Sequence, residues 1–132
     1  MKLGSLALVA VALFALASSS SSSKGKPKGK GVKLSKGELV DLARAAGFPD
    51  PNLAAAVALA ESGGDPSAVG VGPKERSIGL WQINIRAWKK RGEEELKQPA
   101  TNAQAAFEVW STNHSFAPHW GAYTNGSYKK FL

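Results

Sequence analysis

Residues Leu53-Ala54-Ala55-Ala56-Val57-Ala58-Leu59-Ala60 form an unbroken run of eight small and apolar side chains. Wound at the helical pitch, such a run shows an apolar surface on every side, which is the mark of a helix buried on most of its faces. Asp50 supplies an N-cap and Pro51 a first helical position. Gly63-Gly64 supply a stop. Any fold this chain adopts must therefore be assembled around one central helix. Glu61 closes that helix and is the first charge after the ten uncharged residues 51–60. Burial disfavours its carboxylate, as does the negative end of the helix dipole. Both favour a carboxyl group that holds a proton, and can donate it, near neutral pH. The competing reading is a solvated glutamate pointing outward from the last turn, and the apolar run beside it weighs against that reading.

The 132 residues predict one domain. No cysteine is present, so disulfides, thiolate nucleophiles and thiolate-ligated metals are excluded. His114 and His119 lie five apart with no acidic residue between them, so no metal-ligand spacing exists, and neither metal nor cofactor is expected. The net charge of +7 is concentrated before the body: Lys2, then Lys24, Lys26, Lys28, Lys30, Lys33 and Lys36. From Gly37 onward, ten acids balance ten Lys or Arg. A neutral body with a basic tail predicts a flexible electrostatic tether to anionic surfaces. It does not predict a nucleic-acid-binding domain.

Residues 1–17 read as a signal peptide or short anchor: Lys2 is the positive flank, Leu6 to Ala17 is apolar, and Ala15-Leu16-Ala17 fits a cleavage site. The chain is therefore expected to be exported, extracellular or membrane-associated. Residues 18–33, a serine run passing into Lys and Gly, predict a disordered linker. The folded body is expected over 34–132, as a monomer. Ser35 and Glu38 form a capping-box pattern for a first helix that runs to about Ala46 and closes at Gly47. The Glu61 helix comes next. Loop is expected from Gly63 to Ser77, and a short β-leaning turn over Ser77–Ile83. Asn84 is expected to cap a helix through Trp88, and Thr101 or Asn102 another through Trp110. His114 to Gly126 reads as irregular, and Ser127 to Leu132 as a last helical turn.

Glu61-Ser62, Gly79-Leu80-Trp81-Gln82 and Ala122-Tyr123 with Gly126 occur in order. Together they resemble the lysozyme-like lytic transglycosylases of the soluble type, and especially small versions from phage virions and actinobacterial wall lysins. The resemblance implies a mainly α, lysozyme-like α+β domain with a minor β or turn segment. It also implies cleavage of the β-1,4 bond between N-acetylmuramic acid and N-acetylglucosamine in peptidoglycan glycan strands. Glu61 would be the general acid and then the base, with the substrate's own N-acetyl group assisting and a 1,6-anhydro product. Gln82 would lie on the cleft floor, extended by Asn84, and Tyr123 would orient Glu61 through its hydroxyl. The third motif departs from the family's Ala-Tyr-Asn-Ala-Gly at Thr124-Asn125, which leaves hydrolysis and anhydro formation both open.

Gln82 carries donor and acceptor atoms suited to sugar amides and hydroxyls. Trp81, Trp120 and Tyr128 are candidates to stack on sugar faces, with Trp81 expected partly exposed, and Trp88 and Trp110 expected in the core. Ser62 borders Glu61 and is a candidate substrate contact, with a hydroxyl that suits helix termination better than attack, since no His-Asp pair surrounds it. Asp65 is a candidate second carboxylate, with a turn-forming role before Pro66 as the competing reading. A non-catalytic wall-binding or structural virion protein is the alternative to the enzyme. A membrane-active cationic protein is disfavoured, because Gly and Pro interrupt the lysine run.

Overall fold

The computed structural model describes residues 32–132. The expected leader over 1–17 and nearly all of the expected linker over 18–33 lie outside the described residues.

Helix α1, Lys36–Ala46, opens on the anticipated capping box: Glu38 N–H donates to Ser35 Oγ at 3.1 Å, and Ser35 N–H to Glu38 Oε1 at 2.8 Å. It closes at Gly47 with φ 114°. Helix α2, Pro51–Ser62, is capped by the Asp50 carboxylate, which accepts from Leu53 N–H at 3.1 Å, and it ends at Gly63 in the left-handed region. Ala54 through Ala58 are wholly excluded from solvent. The middle of the run is thus buried all round, as its lack of polarity requires, while Leu53, Leu59 and Ala60 at its ends are half-buried. Helix α1, the small sheet and the C-terminal segments are arranged around it.

Strands β1 (Val69–Gly72), β2 (Glu75–Ile78) and β3 (Ile83–Asn84) form an antiparallel sheet in that order. Val69 pairs with Ile78 and Gly72 with Glu75, and Ser77 pairs with Asn84 on the other side. Short helix α3, Glu93–Leu96, leads into α4, Pro99–Ser111. Helix α5, Gly121–Thr124, and a 3₁₀ turn, Ser127–Phe131, complete the body. Helix α1 packs on α2 and α4, and the 3₁₀ turn packs on α2. Aromatic rings fill the space between: Phe48 stacks on Trp81 and Phe116 and meets Phe107 and Trp110 edge-on. Among the described residues no helix is long and apolar enough to cross a membrane.

Four local expectations are corrected. The segment Gly63–Ser77 is not all loop, since it contains β1 and most of β2. Asn84 starts no helix: it belongs to β3, and its Oδ1 accepts from Arg76 N–H and Arg86 N–H. Helix α4 begins at Pro99, before Thr101, with Asn102 buried inside it. The stretch expected to be irregular contains α5.

Candidate active site

The C-terminal end of α2 opens into a cleft of about 610 Å³. The sheet forms one wall, through Glu75, Ser77, Gln82 and Asn84, and the segment from Pro118 to Ser127 forms the other. Glu61 is half-buried at the junction, where Ala122 N–H donates to its Oε2 at 3.1 Å. Burial is the main cause of a pKa raised above the ordinary 4.5; the Ala122 bond opposes the rise, and the charge of Glu75 adds to it. The arrangement is that of a half-buried carboxyl group, its pKa raised by burial, facing an open cavity.

The bond to Glu61 comes from the backbone of the third motif rather than from the tyrosine hydroxyl. Tyr123 stacks on Tyr128 with ring centroids 4.9 Å apart and lines a separate groove with Phe48 and Phe116. The third motif therefore reaches the acid through residue 122, with Tyr123 packed on the far side of α5.

Trp81 also departs from expectation. It is fully buried, not partly exposed, and its indole Nε1–H donates to Ala54 O at 2.9 Å. Its backbone N–H donates to Asn102 Oδ1, and its carbonyl accepts from Trp120 Nε1–H at 2.7 Å. Asn102 Nδ2 donates further to Ile78 O and Leu96 O. Trp81 is thus the hub of a buried network that ties α2, the sheet, α4 and the cleft wall together, and it cannot stack on a sugar. Trp120 remains at the cleft, though nearly buried. Trp88, expected in the core, is half-buried and lines the cleft, edge-on to His119 at 5.9 Å. Trp110 is half-buried and packs on Phe107 and His114.

Gln82 lines the cleft with its backbone at φ 48°, a left-handed conformation uncommon outside glycine. Its Nε2 donates to Ala68 O at 3.2 Å and to Gly79 O at 3.1 Å, the residues just before β1 and just after β2, so the amide clasps the open end of the hairpin. Ser62 turns inward on its own helix: Oγ donates to Ala58 O and accepts from Gly64 N–H. Asp65 is a turn former, accepting from Ser67 N–H and Oγ, both at 2.9 Å. The second carboxylate on the cleft is Glu75, which sequence reasoning missed. The signal that could have found it is the alternation of Glu75 and Ser77, had the hairpin been recognised. Among the described residues no group of three or more His, Asp or Glu could hold a metal ion.

A consequence for stability follows from the raised pKa. Below about 4.5, the unfolded-state value, Glu61 is protonated folded or unfolded, and its favourable contribution is fully present. As pH rises through the higher folded value, the unfolded chain ionises more readily and that contribution is lost. Glu61→Gln removes the titration. Its melting temperature relative to wild type is therefore expected to climb from an acid baseline and level off toward neutrality. A flat difference between pH 3 and 8 would mean that the carboxyl group is not strained by burial.

Residues 40–121 match the family model described as a lysozyme like domain. No curated protein matches, and no solved structure does.

Proposed function

The chain belongs to the lysozyme-like domain family, and from that premise we propose that it cleaves the β-1,4 glycosidic bond between N-acetylmuramic acid and N-acetylglucosamine in peptidoglycan, with Glu61 as the general acid. The observation that carries this reading is Glu61 itself: half-buried at the end of an apolar helix, bonded by Ala122 N–H, and facing a cleft large enough for sugar rings. Glycosidic cleavage needs a proton on the leaving oxygen as positive charge develops at the anomeric carbon. Burial favours the protonated form of Glu61, which is the form that supplies that proton. Asn84 and Gln82 would form the polar floor, and the half-buried Trp88 an aromatic wall against which glycan strands would lie.

The test is incubation of the purified chain with peptidoglycan, followed by loss of turbidity and mass spectrometry of the released glycan. Soluble muropeptides cut between the two sugars are expected. Intact walls after prolonged incubation would favour the non-catalytic wall-binding or virion structural reading.

The lysines from Lys24 to Lys36 would add affinity for anionic wall polymers or lipid while the neutral body does the cutting. Near an anionic membrane each lysine contributes ~1 kcal/mol, and the effect fades with salt as the Debye length shrinks. Removing residues 18–33 is expected to slow wall digestion at low salt, to matter little at high salt, and to leave turnover of short soluble glycan unchanged. Equal wall digestion at low salt would reduce the segment to a spacer.

A further inference from the structure

Glu75 and Ser77 stand two apart on β2, so their side chains share one face of the sheet, and both line the Glu61 cleft. Their partners across β1 are Gly72 and Gly70, which add no side chain to that face. The openness is built in. A Cβ at residue 70 would come within 2.6 Å of Gln82 Oε1, while one at 72 would lie in ordinary contact with Glu75 at 3.7 Å. The buried Ser77 donates its hydroxyl to Glu75 Oε2 at 2.6 Å, which fixes the orientation of the carboxylate. The next residue, Arg76, grips Glu93 through two bonds of 2.8 and 2.9 Å, so the strand is braced against α3. Two carboxyl groups thus face one cavity in contrasting settings. Glu61 is half-buried and bonded by a backbone N–H, whereas Glu75 is solvent-exposed on the opposing sheet.

We infer that Glu75 is the catalytic base of a hydrolytic, inverting cleavage in this cleft, a reading that rests on Glu61 being the acid. A water held by Glu75 attacks the anomeric carbon. As the new C–O bond forms, the water's proton passes to Glu75. The bond from the anomeric carbon to the leaving oxygen breaks with its electron pair going to that oxygen, which takes the proton of Glu61. Exchange of protons with solvent then resets both groups. The product is a free reducing end of α configuration, not a 1,6-anhydro sugar. Base rather than nucleophile is the role that fits, because Glu75 stands on the solvent-exposed wall with one oxygen already engaged by Ser77. An inverting base acts through a water held between the two carboxyl groups, whereas a nucleophile must reach the sugar itself.

The experiment compares the full chain, Glu75→Gln and Glu61→Gln on soluble glycan strands in ¹⁸O-water, with the new ends read by mass spectrometry and their anomeric form by NMR. The wild-type chain is expected to place one ¹⁸O at each new end, initially as the α anomer. Glu75→Gln is expected to lose ~10²-fold or more of that rate with an unchanged melting temperature. Sodium azide should restore its turnover and yield an α-glycosyl azide, which a merely structural role for Glu75 would not produce. Anhydro ends, β-configured ends, or a Glu75→Gln rate within about threefold of wild type would each overturn the assignment of a base. Full activity in Glu61→Gln would overturn it through the acid instead, and is distinguishable because Glu75→Gln is read separately.

Discussion

Glu61→Gln is expected to lower the rate of wall cleavage by ~10²–10⁴-fold, the range a positioned general acid supplies. The amide keeps the shape and polarity of the side chain. Its oxygen can still accept from Ala122 N–H, so the third motif stays docked on the end of α2. Only the transferable proton is removed. Glycan binding should therefore change little while turnover collapses, the pattern of an interaction made only in the transition state. Wild-type rates can be followed by turbidity and the variant by mass spectrometry of its soluble products, with binding measured on the same glycan. A variant that keeps more than about a hundredth of the wild-type rate would show that Glu61 is not the acid. Combined with the stability profile described above, this gives one residue two opposite expected effects: the substitution that removes the activity also relieves the fold of a partly buried charge.

Trp81→Ala is expected to cost ~3–5 kcal/mol, the range for deleting a large buried aromatic. Typical domains hold only ~5–15 kcal/mol in total, so the loss is a large share of the whole. The side chain is fully excluded from solvent and stacks on Phe48 with centroids 6.2 Å apart, so its removal leaves a cavity in the centre of the aromatic cluster. It also deletes the indole bond to Ala54 O. Trp81→Phe keeps most of the volume without the donor and should fall between. Guanidinium melts of the three proteins separate packing from hydrogen bonding. If Trp81→Ala unfolds within about 1 kcal/mol of wild type, the indole is not central to the core. A carbohydrate-stacking role predicts the opposite pattern, with stability kept and binding lost.

The helices that carry the site were legible because their signals are local. Ser35 with Glu38, Asp50 with Pro51, and Gly47 and Gly63 act within one turn of themselves, and each does in the structure what its type predicts. The end of α2 at Glu61 was legible for the same reason. Features settled by distant contacts were not. The β1–β2 hairpin is built on Val-Gly-Val-Gly with Val71 72% exposed, so it lacks the buried alternation that announces a strand. Asn84 has the side chain of a helix cap, but its oxygen is claimed by Arg76 eight residues earlier. Trp81 could equally be wall or core, and a single carbonyl on α2 decides between them. Glu75 looked like one more loop charge, because its meaning depends on a cleft assembled from segments up to fifty residues away.

The alanines of α2 do more than fill the core. A helix whose buried stretch holds nothing bulkier than valine lets an indole approach close enough to bond a main-chain carbonyl, as Trp81 does at Ala54. The helix that carries Glu61 and the turn that carries Gln82 are therefore registered backbone to side chain at short range. Side-chain rotamer changes elsewhere in the core cannot lengthen that link. The tolerance this gives is lopsided. Bulk added along the buried stretch of α2 acts on the seat of that indole, whereas changes on the exposed face of the helix do not. The small residues of α2 are the standard to which the Glu61 end of the helix and the Gln82 turn are gauged.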